Sequence, residues 1–277
     1  MLKWRDQWSA YLLIAPAVVY VLYLAFYPAI ESVRGGFETP IHPFSLYNYH
    51  FVLSTFGTRP ILNTFIVTGA ALLLQFTVAF IVASLLSKPF KGRSAFTAIF
   101  LIPFGVATIV AAVIFHDMFS AYGGYVNSFI NLFGFHAIDW EATFPKALLV
   151  LILADSWKNT PIVMLILLAG MSTIPSDLYS QAMVDGAGPF QRFFRITLPN
   201  MAGFIAIALM IRGISEFNIF AMALLIFPYQ LLTTMTYSLF DIVNPDPSYA
   251  AATILLGFVL IFAVLIMVYR SKYSRVS

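Results

Sequence analysis

Four charged side chains stand where charge is expensive. Asp155 and Lys158 lie in the apolar stretch 147–170, and Arg212 and Glu216 lie in the apolar stretch 200–227. A charge near mid-bilayer costs roughly 2.5–3.5 kcal/mol on insertion scales, so it faces a polar pathway or a partner rather than lipid. Arg212 and Glu216 are i and i+4, on one helix face and able to pair; Asp155 and Lys158 are i and i+3. Two readings stand side by side. The pairs neutralise themselves and only hold helices together, or they form a polar pocket for a hydroxylated solute. In the second reading Asn159, Ser215 and Asn218 are the hydrogen-bonding neighbours. Pro161 removes a backbone hydrogen bond just past Lys158, which loosens that helix and frees a carbonyl nearby. Trp157 and Phe217 are lesser candidates for stacking on such a solute.

Other chemistries find little to work with. There is no Cys, so no thiolate nucleophile, disulfide or Cys-ligated metal exists in this chain. His42, His50, His116 and His136 show no metal-ligand spacing and read as surface or interfacial residues. Asp155 with Lys158 is the nearest approach to a catalytic acid and base, and no motif supports it, so no catalytic or metal site is assigned. No GxxxxGK[ST] phosphate loop is present, so the chain does not bind ATP by that route.

The elements that must position these residues follow from composition. The 277 residues are 61% apolar and 10% charged, against roughly 45–50% and 25% in a soluble domain. Mean hydropathy is +0.89. So few charges cannot cover so much apolar surface, and lipid must solvate part of it. This excludes a cytosolic enzyme, a secreted domain and a disordered chain. Six runs are long enough to span a bilayer, near 10–30, 61–86, 95–115, 147–170, 200–227 and 249–269. They are continuous rather than alternating, so they predict an all-α integral membrane protein rather than a barrel. The first run is longer than the apolar core of a signal peptide and reads as a retained helix. Lys158 lies 11 residues from Ala147, and Arg212 lies 12 residues from Asn200. At about 1.5 Å per residue these are ~17 and ~18 Å deep, both near the centre of a ~30 Å core.

Loop charge predicts orientation. With the N-terminus inside, the inner segments hold ten basic residues: Lys3, Arg5, Lys88, Lys91, Arg93, Arg192, Arg195, Arg270, Lys272 and Arg275. The outer segments hold three, Arg34, Arg59 and Lys146. That asymmetry places both termini in the cytoplasm.

One inner segment, 171–199, is long and patterned. Ser176 follows Pro175 and can start a helix, with Asp177 in its first turn. Leu178, Tyr179, Ala182 and Met183 make one apolar face. Asp185-Gly186-Ala187-Gly188-Pro189 then forces a turn, and a second short helix carries Phe190, Phe193, Phe194 and Ile196. A cytoplasmic loop exposing Tyr179, Met183, Phe190 and Phe193 lies on the bilayer or docks in a partner's groove. The rigid turn favours the partner, since interfacial binding needs no defined geometry.

This segment resembles the EAA loop of permease subunits of binding-protein-dependent ABC importers, whose pattern is EAAxxDGAxxxxxFxxIxLP. The matching residues are Ala182, Asp185, Gly186, Ala187, Phe193, Ile196, Leu198 and Pro199, while Ser180 and Gln181 replace the family's leading Glu and the Ala after it. Further along the chain, Tyr27-Pro28, Asn48-Tyr49 with Leu53, Lys91-Gly92-Arg93 before Leu101-Ile102-Pro103, and Trp157 to Pro161 before Leu167 to Gly170 resemble sugar-permease elements in order and spacing. The maltose and glycerol-3-phosphate type is the nearest class.

The resemblance implies a single six-span permease domain of type I ABC importer fold, in a prokaryotic cell membrane. It implies a coupling loop formed by Tyr179, Ser180, Gln181, Ala182, Met183, Asp185, Gly186, Ala187, Phe190 and Phe193. It further implies a second homologous permease, two ATP-binding subunits that hold ATP and magnesium, an extracytoplasmic solute-binding protein and a carbohydrate solute. The alternative is a stand-alone secondary transporter or channel. That would explain the buried charges but not the exposed apolar helix–turn–helix, and no inverted repeat of broken helices is visible.

Overall fold

The computed structural model describes residues 4–226, 231–243 and 245–273. Lys3, Arg275 and Phe227 at the end of the fifth expected span lie outside the described residues, as do the side chains of Arg5 and Lys272. In chain order the helices are α1 Trp4–Phe37, α2 Tyr47–Phe56, α3 Arg59–Leu86, α4 Arg93–Gly105, α5 Thr108–Phe119, α6 Tyr125–Leu132 and α7 Phe144–Met171. Then follow α8 Ser176–Val184, α9 Pro189–Arg192, a π-helical turn Phe193–Thr197, α10 Leu198–Asn200, α11 Ala202–Phe217 and α12 Ala221–Ile226. Last come α13 Leu232–Ser238, a second π-helical turn Leu239–Val243 and α14 Pro245–Tyr273.

The chain forms two compact units. One contains α1, α2 and Met235–Gly257. Here the Asn48 side chain, buried at the start of α2, donates to the carbonyls of Gly36 and Glu38 at 3.3 and 2.9 Å. It thereby satisfies carbonyls at the C-terminal end of α1 that have no helical partner. The Thr253 hydroxyl donates to the Ser32 carbonyl at 3.0 Å and ties α14 to α1.

The other unit, Arg59–Thr234 with the end of α14, holds the charged residues. α3 packs along α7 more extensively than any other helix pair. Its apolar core is two clusters. One gathers Val67, Leu148, Leu151, Ala154, Ile219 and Met222. The other gathers Ala79, Ala83, Val163, Met164, Leu167 and Ala208. α11 approaches α14 at Gly213, where an added Cβ would lie 2.1 Å from the Phe262 ring and force that ring to move.

Among the described residues five helices are long and apolar enough to cross a membrane, and they fall on five of the six expected runs. The run 95–115 differs from a straight span. It divides into α4 and α5, whose axes bend by 92°. Val106 and Ala107 are extended, with φ/ψ of −75°/134° and −60°/140°. Pro103 in the last turn of α4 lacks an N–H and crowds the preceding turn, and Gly105 follows it. The run stays apolar throughout, so hydropathy alone could not reveal the elbow. The fifth run is also interrupted, over residues 218–220 between α11 and α12. α7, by contrast, runs unbroken through Pro161.

Candidate functional site

The charges converge with a residue that the sequence reading missed. Gln75 of α3, 0% exposed, donates from Nε2 to Asp155 Oδ2 at 2.9 Å and to Glu216 Oε1 at 2.8 Å. Its Oε1 accepts from Arg212 Nε at 3.2 Å. Arg212 Nη2 also reaches Asp155 Oδ2 at 3.4 Å and pairs with Glu216, as their spacing on one helix face allows. Asn159 Nδ2 donates to Asp155 Oδ1 at 2.9 Å. Three helices, α3, α7 and α11, thus meet in one polar layer. On α3 and α7 the layer sits between residues of the two apolar clusters, and along the fifth run it lies between Ala208 of one cluster and Ile219 of the other. A buried guanidinium shared by two carboxylates is favoured by further hydrogen bonds, and Gln75 supplies three of them, while Glu216 Oε2 has no partner among the described residues. The signal was present: Gln75 is an amide midway along an apolar run, a rarity of the same kind as a buried charge.

Lys158 does not pair with Asp155, its i−3 neighbour. Its Nζ donates to the carbonyls of Val106 and Phe104 at 2.7 and 3.4 Å and lies 5.8 Å from the centre of the Phe104 ring. A cavity of about 320 Å³ opens beside it. Of the seven residues singled out as a pathway, Asp155, Lys158, Asn159, Arg212, Ser215 and Asn218 line this cavity; Glu216 is buried behind it. Thr108 at the start of α5 and the interrupted segment at Ile219 and Phe220 complete the wall. Non-helical backbone at membrane depth is tolerated only where it is buried or lines a cavity; Ile219 and Phe220 meet that condition at the cavity wall, whereas at the elbow Val106 is half-buried, Ala107 is exposed and Lys158 bonds the Val106 carbonyl. Phe217 packs between Phe65 and Phe262, and Trp157 packs at a tilt against Phe115; neither lines the cavity.

The formal charges around the cavity cancel: Asp155 and Glu216 against Lys158 and Arg212. The carboxylates are engaged by Gln75, Arg212 and Asn159. Ser215 and Asn218 donate to backbone carbonyls of their own helix, which leaves their oxygens as acceptors. The cavity wall, with Glu216 behind it, thus carries no net formal charge, and Asn159, Ser215 and Asn218 add uncharged hydrogen-bonding groups to an otherwise largely apolar surface.

The inner segment is a helix, a tight turn and a second short helix, as its pattern predicts. α8 ends in a Schellman motif. Gly186 has φ +78°, its N–H reaches the Met183 carbonyl at 3.1 Å, and the Ala187 N–H reaches the Ala182 carbonyl at 2.8 Å. Exposure differs from the expectation at two positions. Tyr179 and Phe193 are half-buried. The Tyr179 hydroxyl lies 2.9 Å from Thr197 Oγ1, and Phe193 packs edge-on against Phe80 of α3 at 5.7 Å. Both turn inward because the π-helical turn brings Thr197 and Phe193 under α8 and α3. The outward apolar surface is Met183, Val184 and Phe190, at 53%, 89% and 82% exposure. Ser180, Gln181 and Asp185 are exposed beside it, and Ala182 and Ala187 are half-buried.

Away from this unit's core, His116 bridges Asp117 and Glu141, at 3.2 Å to each. Glu141 is remote in sequence, so spacing could not show that contact.

Residues 75–273 match the family model described as binding-protein-dependent transport system inner membrane component. The trehalose/maltose transport system permease protein MalF of Thermococcus litoralis is 34% identical over 232 residues, 79% of this chain and 77% of that one. The sn-glycerol-3-phosphate transport system permease protein UgpA of Escherichia coli O157:H7 is 26% identical over 293 residues, 98% of this chain and 96% of that one. Among solved structures, a bacterial ABC transporter involved in import of the acidic polysaccharide alginate contains a chain with TM-score 0.82 and 22% identity. That likeness covers 99% of this chain and 97% of the other, and it shows a shared fold.

Proposed function

The chain belongs to the family of binding-protein-dependent transport system inner membrane components, and from that premise we propose that it forms half of an import route for a neutral sugar or polyol. It is a transporter subunit, not an enzyme. It works in a prokaryotic cell membrane with both termini in the cytoplasm, as the ten-to-three excess of basic residues on the inner side favours. A second homologous permease completes the route. A solute-binding protein outside delivers the sugar, and two ATP-binding subunits, holding ATP and magnesium, drive the change between inward- and outward-facing states.

Neutrality of the solute rests on the cavity. Its charges cancel, and Asn159, Ser215 and Asn218 offer the uncharged hydrogen-bonding groups that hydroxyls need. Asp155 holds Asn159 in place, and Arg212, with Glu216 behind it, balances the charge of that carboxylate. The same chemistry accords with the trehalose and maltose named for the relative at 34% identity.

The single observation that carries the reading is the inner knob. Met183, Val184 and Phe190 project from a helix–turn–helix locked by a Schellman turn and are not covered by any of the described residues. Such a surface suits a groove on the ATP-binding subunit. The secondary-transporter alternative gives this knob no role. The test is Gly186→Pro in the assembled importer. Proline cannot adopt φ +78°, so the turn must re-form in another shape. ATP hydrolysis should then no longer respond to the sugar-loaded binding protein, and uptake should stop. Coupled uptake that survives would overturn the proposal.

A further inference from the structure

The elbow between α4 and α5 points to a role for Lys158 that differs from solute contact: the geometry assigns it as a positioning residue that holds the elbow bent. The last carbonyls of α4 have no helical partners, and in lipid such orphans are costly. Val106 N–H turns back to the Pro103 carbonyl at 3.2 Å, which closes the last turn but satisfies neither Phe104 nor Val106 oxygen. Lys158 supplies both bonds from another helix. Its positive charge also sits at the negative end of the α4 dipole, where a cation is favoured. Lys158 is 9% exposed and has no carboxylate contact, so the elbow carbonyls are its principal partners. Because Thr108, the first residue beyond the elbow, lines the same cavity, the angle of the elbow sets the cavity's shape.

The inference rests on the reading of this chain as half of an import route. Lys158→Met keeps the length of the side chain and removes the donor. Uptake by the assembled importer should fall by roughly tenfold or more, the fold-change that corresponds to losing one hydrogen bond to a charged group. Rescue separates positioning from solute contact. Ala107 is exposed and has φ −60°, and Val106 before it has ψ 134°; these are the angles that proline and its predecessor adopt. Ala107→Pro therefore fixes the elbow without Lys158. The single variant Ala107→Pro should import at close to the wild-type rate, and the pair Lys158→Met with Ala107→Pro should regain most of the lost uptake. A pair that assembles and stays as inactive as Lys158→Met would overturn the inference, because the ammonium would then act on solute.

A second measurement needs no uptake. Spin labels at the exposed positions Phe96 of α4 and Val113 of α5 report the distance across the elbow in nanodiscs. Lys158→Met should broaden or lengthen the distribution, and Lys158→Arg should restore it. An unchanged distribution in Lys158→Met would overturn the inference. The label distance is read without solute, so a wild-type complex that imports no sugar would sink the proposed function and leave the elbow result standing.

Discussion

Gln75→Leu tests whether the polar layer binds the three helices together. Leucine has similar bulk and adds no polar group, so the change removes only hydrogen bonds. Three are lost: two to carboxylates, at 2.9 and 2.8 Å, and one from the Arg212 guanidinium, at 3.2 Å. Bonds to charged groups contribute about 1.5–3 kcal/mol each in soluble proteins, which sets a ceiling near 4.5–9 kcal/mol. Bonds between membrane helices average about 0.6 kcal/mol, because the unpacked helices find other partners, which sets a floor near 2 kcal/mol. Arg212 still contacts both carboxylates after the change, so no charge is orphaned. That places the loss toward the lower end, about 2–4 kcal/mol. At about 3 °C per kcal/mol the assembled importer should melt some 6–12 °C lower. The assay is the temperature at which the complex in nanodiscs loses its monodisperse gel-filtration peak. Glu216→Gln combined with Gln75→Leu should be non-additive, since the two side chains touch. A melting temperature within about 1 °C of wild type would refute the reasoning, because a bridge between helices cannot be removed so cheaply.

Two further predictions concern packing and docking. Gly213→Ala places a methyl 2.1 Å from the Phe262 ring and should destabilise by about 1–3 kcal/mol; Phe262→Leu in the same chain should reverse much of this in a thermal melt. Phe190→Ser should weaken retention of the ATP-binding subunits by about 2 kcal/mol, roughly thirtyfold, and the wild-type association should survive 1 M salt, since apolar burial is not screened. Gel filtration at low and high salt reads both effects, and wild-type dissociation at high salt would show that exposed charges hold the subunits together instead.

What could be read from sequence depends on how far apart the interacting residues lie along the chain. The spans were legible because an apolar run of sufficient length needs no partner to be recognised. The Arg212–Glu216 pair was legible because helix geometry makes i and i+4 neighbours. The turn at Gly186 was legible because Asp-Gly-Ala-Gly-Pro admits few backbone paths. Gln75 was not, since its partners are 80 and 141 residues away. Asp155 illustrates the same limit: local spacing offered Lys158, whereas the fold gave it Arg212 and sent Lys158 to the elbow. The elbow itself was hidden because lipid-compatible residues continue across it, and what stabilises it is a side chain on another helix.

The charges and the inner loop, which sequence treats as separate features, are joined by the fold. Helices that meet through small apolar residues such as Ala79, Ala83 and Ala208 have smooth surfaces, and lipid tails are as apolar as their side chains. Nothing in such packing fixes how far one helix slides along another. A polar layer does, because Gln75, Asp155, Arg212 and Glu216 satisfy one another in one register only. The loop touches two of the three helices so fixed. Phe193 leans on Phe80, about one and a half turns from Gln75 on α3. Thr197, bonded to Tyr179, leads through α10 into α11, which carries Arg212 and Glu216. A push on the loop therefore reaches α3 and α11 together, and the layer passes it to α7 without slippage. The backbone is least regular beside that layer, at residues 106–107, next to the cavity-lining Thr108, and at 218–220, which line the cavity themselves. Rigid register with soft walls is the combination that lets a displaced loop reshape a cavity rather than merely shift one helix.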